Sequence, residues 1–149
     1  MTKIRITKEF RFESAHALLG YDGPCKNIHG HSYKLAVTVL GEPLNDSYSP
    51  KHGMVMDFGV LKQIVNDNIV KPFDHALILN AKTENIDLLL TKSMFEKLIL
   101  SDYQPSCENF LIDFVERIKN KLPQNIKLFS IRLDETSNSF AEWYAADNI

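Results

Sequence analysis

Period two dominates both ends of this 149-residue chain. Between residues 3 and 14, Ile4, Ile6, Phe10 and Phe12 hold even positions with charged residues among them. Successive side chains of a strand point to opposite faces, so this spacing predicts a strand with one buried face. Residues 31–41 (HSYKLAVTVLG) are rich in β-branched side chains and end at Gly41, which predicts a second strand. The turn-rich "GYDGPC" lies between them, and two long strands joined by a loop predict an antiparallel pair. From Ile126 to Glu135 the alternation returns, with Phe129, Ile131, Leu133 and Glu135 predicted on one face. Phe140, Glu142 and Tyr144 predict a last strand.

The middle of the chain changes period. "MVMDF" suggests a short strand, and Asp57 then reads as a helix N-cap. Leu61, Ile64, Val65 and Ile69 follow at helical spacing, and Pro72 is expected to close that helix. A weaker helical stretch is expected over 84–96 and a short strand in "KLILSDY". Pro105 reads as the first residue of a stronger helix, with Phe110, Leu111, Phe114, Val115, Ile118 and Leu122 on one stripe. Strand pair, helices, strand pair is an α+β order, with helices on one face of an antiparallel sheet.

This length suits one domain, residues 1–149. A net charge of −2 offers no basic surface for nucleic acid or anionic membranes. MTKIRITKEF lacks the apolar run of a signal peptide, and no apolar stretch is long enough to span a bilayer. Two cysteines make no disulfide framework. The expectation is a cytoplasmic domain without nucleic-acid or membrane partners.

The chemistry-bearing residues gather around "CKNIHGHSY". Alternate positions of a strand share a face, so His29 and His31 can aim two imidazoles at one point. His16, in "FESAHAL" at the end of the first strand, is placed to join them across an antiparallel pair. Three histidines and one open position describe a catalytic zinc site. Cys25 as a fourth ligand would instead close a structural site, and the spacing is compatible with both. Asp74 directly precedes His75 in "KPFDHALILN". Such a pair can orient an imidazole or tune a thiol, and it also occurs as a plain charge pair at a helix end. Glu108 falls in the first turn of the second helix, where a carboxylate complements the helix dipole. Glu135 ends an apolar strand face, either in solvent or partly buried against a ligand.

Taken together, these motifs resemble the 6-pyruvoyltetrahydropterin synthase and 6-carboxytetrahydropterin synthase family. "FRFESAHAL", "CKNIHGHSY", "GMVMDFGVLK", "FDHALILN", "PSCEN" and "RLDET" occur in family order from residue 10 to about 137. The resemblance implies a zinc ion on His16, His29 and His31, with Cys25 as the catalytic thiol. Asp74 and His75 would form a proton relay, Glu135 would anchor a pterin ring, and Glu108 would be a second pterin contact. The implied architecture is the tunnelling fold, a four-stranded antiparallel sheet with two main helices on one face. Its subunits join into a barrel, a hexamer of two stacked trimers with sites between subunits. The implied substrate is 7,8-dihydroneopterin triphosphate. Three residues separate Cys25 from His29, and this short gap resembles the bacterial branch that makes 6-carboxytetrahydropterin. Ala17 stands where many relatives carry an arginine, which leaves Lys26 as a candidate cation for the triphosphate.

Overall fold

The computed structural model describes residues 2–87 and 96–149. Strand β1 (Ile4–His16) pairs antiparallel with β2 (His29–Gly41) along their full length, from Ile4 opposite Gly41 to His16 opposite His29. The even positions Phe10, Phe12, Ser14 and His16 are buried, as are Tyr33, Leu35, Val37 and Val39 of β2. Arg5, Thr7, Glu9, Arg11 and Glu13 point the other way and are exposed. One sheet face is therefore apolar and the other charged, as the alternation requires.

The remaining strands extend this pair on both sides. β2 pairs antiparallel with β5 (Lys127–Thr136), which pairs antiparallel with β6 (Ser139–Tyr144). On the other edge, β3 (Ala76–Asn80) runs parallel to β1, and β4 (Leu98–Ser101) runs parallel to β3. Among the described residues the sheet is thus mixed and six-stranded, in the order β4-β3-β1-β2-β5-β6. This corrects the expected four-stranded antiparallel sheet, which accounts for β1, β2, β5 and β6 only. Ala76, Leu77, Ile78 and Leu79 are all buried, so β3 carries no alternation to mark it as a strand. Doubly buried parallel strands characteristically lack that signal. β4 lies within the strand expected in "KLILSDY".

Helix α1 (Phe58–Val65) starts where Asp57 accepts a hydrogen bond from the Gly59 N–H at 2.7 Å. "MVMDF" forms no strand, because its last residues lead into this cap. Pro72 does not close the helix either. A wider π turn (Asn66–Val70) carries the chain into a last α turn (Lys71–Phe73) that contains Pro72. Proline has no N–H for the carbonyl four residues back. That carbonyl, on Asn68, instead accepts from the Arg117 guanidinium at 3.4 Å.

Helix α2 (Cys107–Ile118) begins after Ser106, whose hydroxyl accepts from the Asn109 N–H. Pro105 therefore lies before the cap and is not the first helical residue. Phe110, Leu111, Phe114, Val115 and Ile118 are buried on the expected stripe, while Leu122 lies past the helix end. The core fills the space between the apolar sheet face and the two helices, with Phe12 stacked on Tyr33 at 5.1 Å and Phe73 edge-on to Phe114 at 4.9 Å. Burying each such ring contributes on the order of 1.5–3 kcal/mol.

β5 departs from simple alternation. Its register against β2 shifts between Thr38 and Val39, so Thr38 faces Ser130 and Val39 faces Leu128. This bulge puts Leu128, and not Phe129, in the core. Phe129 carries the Arg5 guanidinium 3.9 Å from its ring centre instead. Ile131 and Leu133 keep the inward phase that points Glu135 towards the histidines. The helical expectation over 84–96 falls largely outside the described residues. Among the described residues no helix is long and apolar enough to cross a membrane.

Candidate metal centre and active site

The β1–β2 register sets the three histidines. His16 sits directly opposite His29, and His31 opposite Ser14, two residues along the same inward face. His16, His29 and His31 each offer a nitrogen, and these three atoms lie within 4.8 Å of one another.

Backbone carbonyls fix two of the rings. His16 Nδ1 lies 2.6 Å from the Pro105 carbonyl, and His29 Nδ1 lies 2.7 Å from the Asn27 carbonyl. A carbonyl only accepts, so both Nδ1 atoms carry the proton, and Nε2 is the atom of a neutral ring that then presents a lone pair. Those two Nε2 atoms are 3.0 Å apart. Two lone pairs at that distance repel unless a cation lies between them. His31 Nε2 is buried and, among the described residues, has no hydrogen-bond partner, with Glu135 Oε1 3.7 Å away. Burial holds His16 and His31 below the ordinary histidine value of 6.5, against the opposing pull of Glu135. Neutral imidazoles, with outer nitrogens tied to carbonyls, are the donor set a divalent metal requires.

Cys25 lies in a short helical turn (Pro24–Lys26) on the loop between β1 and β2. It lines a cleft of about 180 Å³ together with His16, Cys107, Glu108, Glu135 and Phe140. Cys107 donates to the Leu133 carbonyl at 3.5 Å. Burial, then Glu135 and Glu108, push its thiol up to about 12, so it stays protonated. The cleft therefore brings Cys25, Glu108 and Glu135 together beside one edge of the histidine cluster.

Asp74 and His75 lie elsewhere. Asp74 caps the C-terminal end of the α turn Lys71–Phe73, and its Oδ1 accepts from the Glu13 N–H at 2.9 Å. That bond, with the His75 contact, holds the Asp74 carboxyl below the usual carboxylate range. His75 adopts a left-handed backbone, φ 59°, and its Nδ1 is 3.0 Å from Asp74 Oδ2. Its side chain is 77% exposed, so the imidazole stands at the surface beside a helix end. His75 lines a second cavity, about 440 Å³, with Glu13, Gly30, His31, Ser32 and Lys97. Glu13, Gly30 and Ser32 belong to the charged sheet face, opposite Phe12 and Tyr33. Cys25 and His75 thus line different cavities of one chain, with the histidine cluster between them.

Sequence reasoning missed the carbonyls of Asn27 and Pro105, since any residue supplies a carbonyl and only register selects one. It also missed Phe140 and its neighbours on β6, whose place over the cleft depends on the β5–β6 hairpin.

Known proteins extend these findings. The family described as 6-pyruvoyl tetrahydropterin synthase matches residues 5–146. A 6-carboxy-5,6,7,8-tetrahydropterin synthase of Haemophilus influenzae is 38% identical over 142 residues, spanning 93% of this chain and 97% of that protein. An uncharacterized protein from Wolinella succinogenes shares the fold with a TM-score of 0.79 at 20% identity, covering 97% of this chain and 99% of that one. The 6-pyruvoyl tetrahydropterin synthase of Caenorhabditis elegans superposes with a TM-score of 0.66 at 23% identity, over 97% of each chain. With its motifs in order, its histidines converged and its whole length matched, the chain belongs to the 6-pyruvoyl tetrahydropterin synthase family.

Proposed function

We propose that this chain is a zinc-dependent lyase that converts 7,8-dihydroneopterin triphosphate to 6-carboxy-5,6,7,8-tetrahydropterin, acetaldehyde and triphosphate. One observation carries the reading: three histidine nitrogens converge within 4.8 Å of one another beside a cleft that also holds Cys25 and Glu135. The similarity to the Haemophilus influenzae 6-carboxy-5,6,7,8-tetrahydropterin synthase supports this branch.

His16, His29 and His31 would hold the zinc ion, which supplies Lewis acidity to a substrate oxygen and lowers the cost of negative charge there. Glu135 accepts hydrogen bonds from the amino group and ring N–H of the pterin, a paired, charge-assisted contact. Glu108, at the cleft mouth in the first turn of α2, gives a second pterin contact. Cys25 moves protons at the substrate side chain, and His75, oriented by Asp74, is its partner.

Because Cys25 and His75 line different cavities, the reading requires two chains at each site. The hexamer of stacked trimers, with a barrel made edge to edge, meets that requirement and covers the open edges at β4 and β6. The same reading keeps residues 1–149 as one cytoplasmic domain and Lys26 as a triphosphate contact. Purified protein loaded with zinc and given dihydroneopterin triphosphate tests it. Acetaldehyde with a carboxypterin is the expected result. A pyruvoyl product would overturn the branch, and tight pterin binding without turnover would make the chain a binding module.

A further inference from the structure

The loop that carries Cys25 runs from Ala17 to Ile28 and is held mostly by itself. The Leu18 N–H donates to the Cys25 carbonyl at 2.9 Å, and the Lys26 and Asn27 N–H groups close on Gly23 and Pro24. Among the described residues, its hydrogen bonds to the rest of the chain come from two side chains. His29 Nδ1 takes the Asn27 carbonyl at the loop's end. Gln104 makes the other two: the Leu19 N–H donates to Gln104 Oε1 at 3.1 Å, and Gln104 Nε2 donates to the Leu19 carbonyl at 2.8 Å.

This is a paired amide contact. A primary amide presents one acceptor and a donor side by side, matching the N–H and C=O of one residue. A carboxylate of the same size keeps the acceptor but sets two oxygens against each other at Leu19. A leucine loses both bonds.

Gln104 is also joined to the opposite wall of the cleft. Its own carbonyl accepts from the Ser106 N–H at 2.8 Å and from Asn109 Nδ2 at 2.9 Å. The next residue, Pro105, supplies the carbonyl that fixes His16. Ser106, Cys107 and Glu108 then form one wall of the cleft, while Leu18 and Cys25 form the other. A single residue therefore ties the thiol-bearing loop to the segment that orients a histidine and carries Glu108.

We infer that Gln104 is a positioning residue for Cys25, which clamps the thiol loop across the cleft from Glu108. The inference rests on the catalytic role proposed for Cys25. Its consequence is that thiol placement, and not metal binding or pterin anchoring, depends on this amide. Displacing a reacting group by about 1 Å can cost on the order of a hundredfold in rate.

The test uses Gln104→Leu and Gln104→Glu in the full-length protein loaded with zinc. Three quantities are measured: hydrogen exchange in the peptide covering residues 17–28, the rate of Cys25 alkylation by iodoacetamide, and kcat against KM. Both variants should keep wild-type zinc content, exchange faster across the loop and alkylate Cys25 several-fold faster. Their kcat should fall about ten- to a hundredfold with KM little changed, Gln104→Leu more than Gln104→Glu. Unchanged loop exchange and alkylation in both variants would overturn the inference. So would an equal rise in KM alone. If Gln104→Leu fails to fold, Gln104→Glu carries the same three readings. Exchange and alkylation need no substrate, so a wild-type protein inert on dihydroneopterin triphosphate would sink the proposed function while these two readings still judge the clamp.

Discussion

The two cavities beside the histidine cluster are built in opposite ways. The Cys25 cleft sits at the edge of the apolar core, and its walls are locked by carbonyls, a helix cap and an amide clamp. The His75 cavity opens on the charged sheet face, with an exposed imidazole held, among the described residues, by its neighbour Asp74. One half of the site is preorganised within the chain, while the other is presented outward. Under the proposed function, a proton transfer that uses both halves would draw the second from another copy.

Losing the metal should break the first half altogether. His29→Ala removes one of the two lone pairs that face each other, and zinc content measured on the purified protein should drop to background along with all turnover. Cys25→Ala should differ sharply: zinc stays, and turnover falls by about 10²–10⁴. Loss of zinc in Cys25→Ala would make the thiol a ligand and merge the two roles.

The division between chains can be tested directly. Cys25→Ala and His75→Ala should each be nearly inactive alone. Mixed after dissociation and reassembly, they should recover about a quarter of wild-type activity, because random assembly gives some sites an intact residue from each chain. No recovery in a mixture shown by mass spectrometry to contain both chains would put Cys25 and His75 in the same chain's site.

Glu135→Gln tests the anchor at the shared boundary. Removing its charge should cost about 1.5–3 kcal/mol of pterin binding, read as a rise in KM. An unchanged KM with lower kcat would move Glu135 from anchor to proton transfer.

The preorganised half was the more legible in the sequence. Period two placed Phe10, Phe12 and His16 on one face, and the same rule aligned His29 with His31. The phase of Ile131 and Leu133 then carried Glu135 inward. What failed was what alternation cannot encode. The β5 bulge exchanged Phe129 for Leu128, because one extra residue reverses the phase without leaving a mark in composition. β3 passed unread because a doubly buried strand is uniformly apolar. Pro72 misled because the π turn and Arg117 offset the loss of its N–H. That Cys25 and His75 face different cavities could not be read from spacing, since it follows from where β3 joins β1; the family resemblance alone implied that different chains contribute them.

The smallest expected effect is on stability, and it separates the halves by pH. His16 and His31 titrate below 6.5 in the folded chain because burial disfavours their charge. In the unfolded chain they protonate near 6.5, so below that value the unfolded state binds more protons. Stability of the metal-free protein should therefore fall as pH drops through 6.5 and on towards the folded values. Asp74 is also depressed, from 3.8, so its contribution is lost only in the carboxylate range. The histidine window therefore opens at 6.5, above the carboxylate window. Urea midpoints of chelator-treated protein between about pH 7.5 and 5.5 read the opening of the histidine window. His16→Gln should flatten that slope. A slope unaffected by His16→Gln would mean that the buried cluster is not where the protons are taken up.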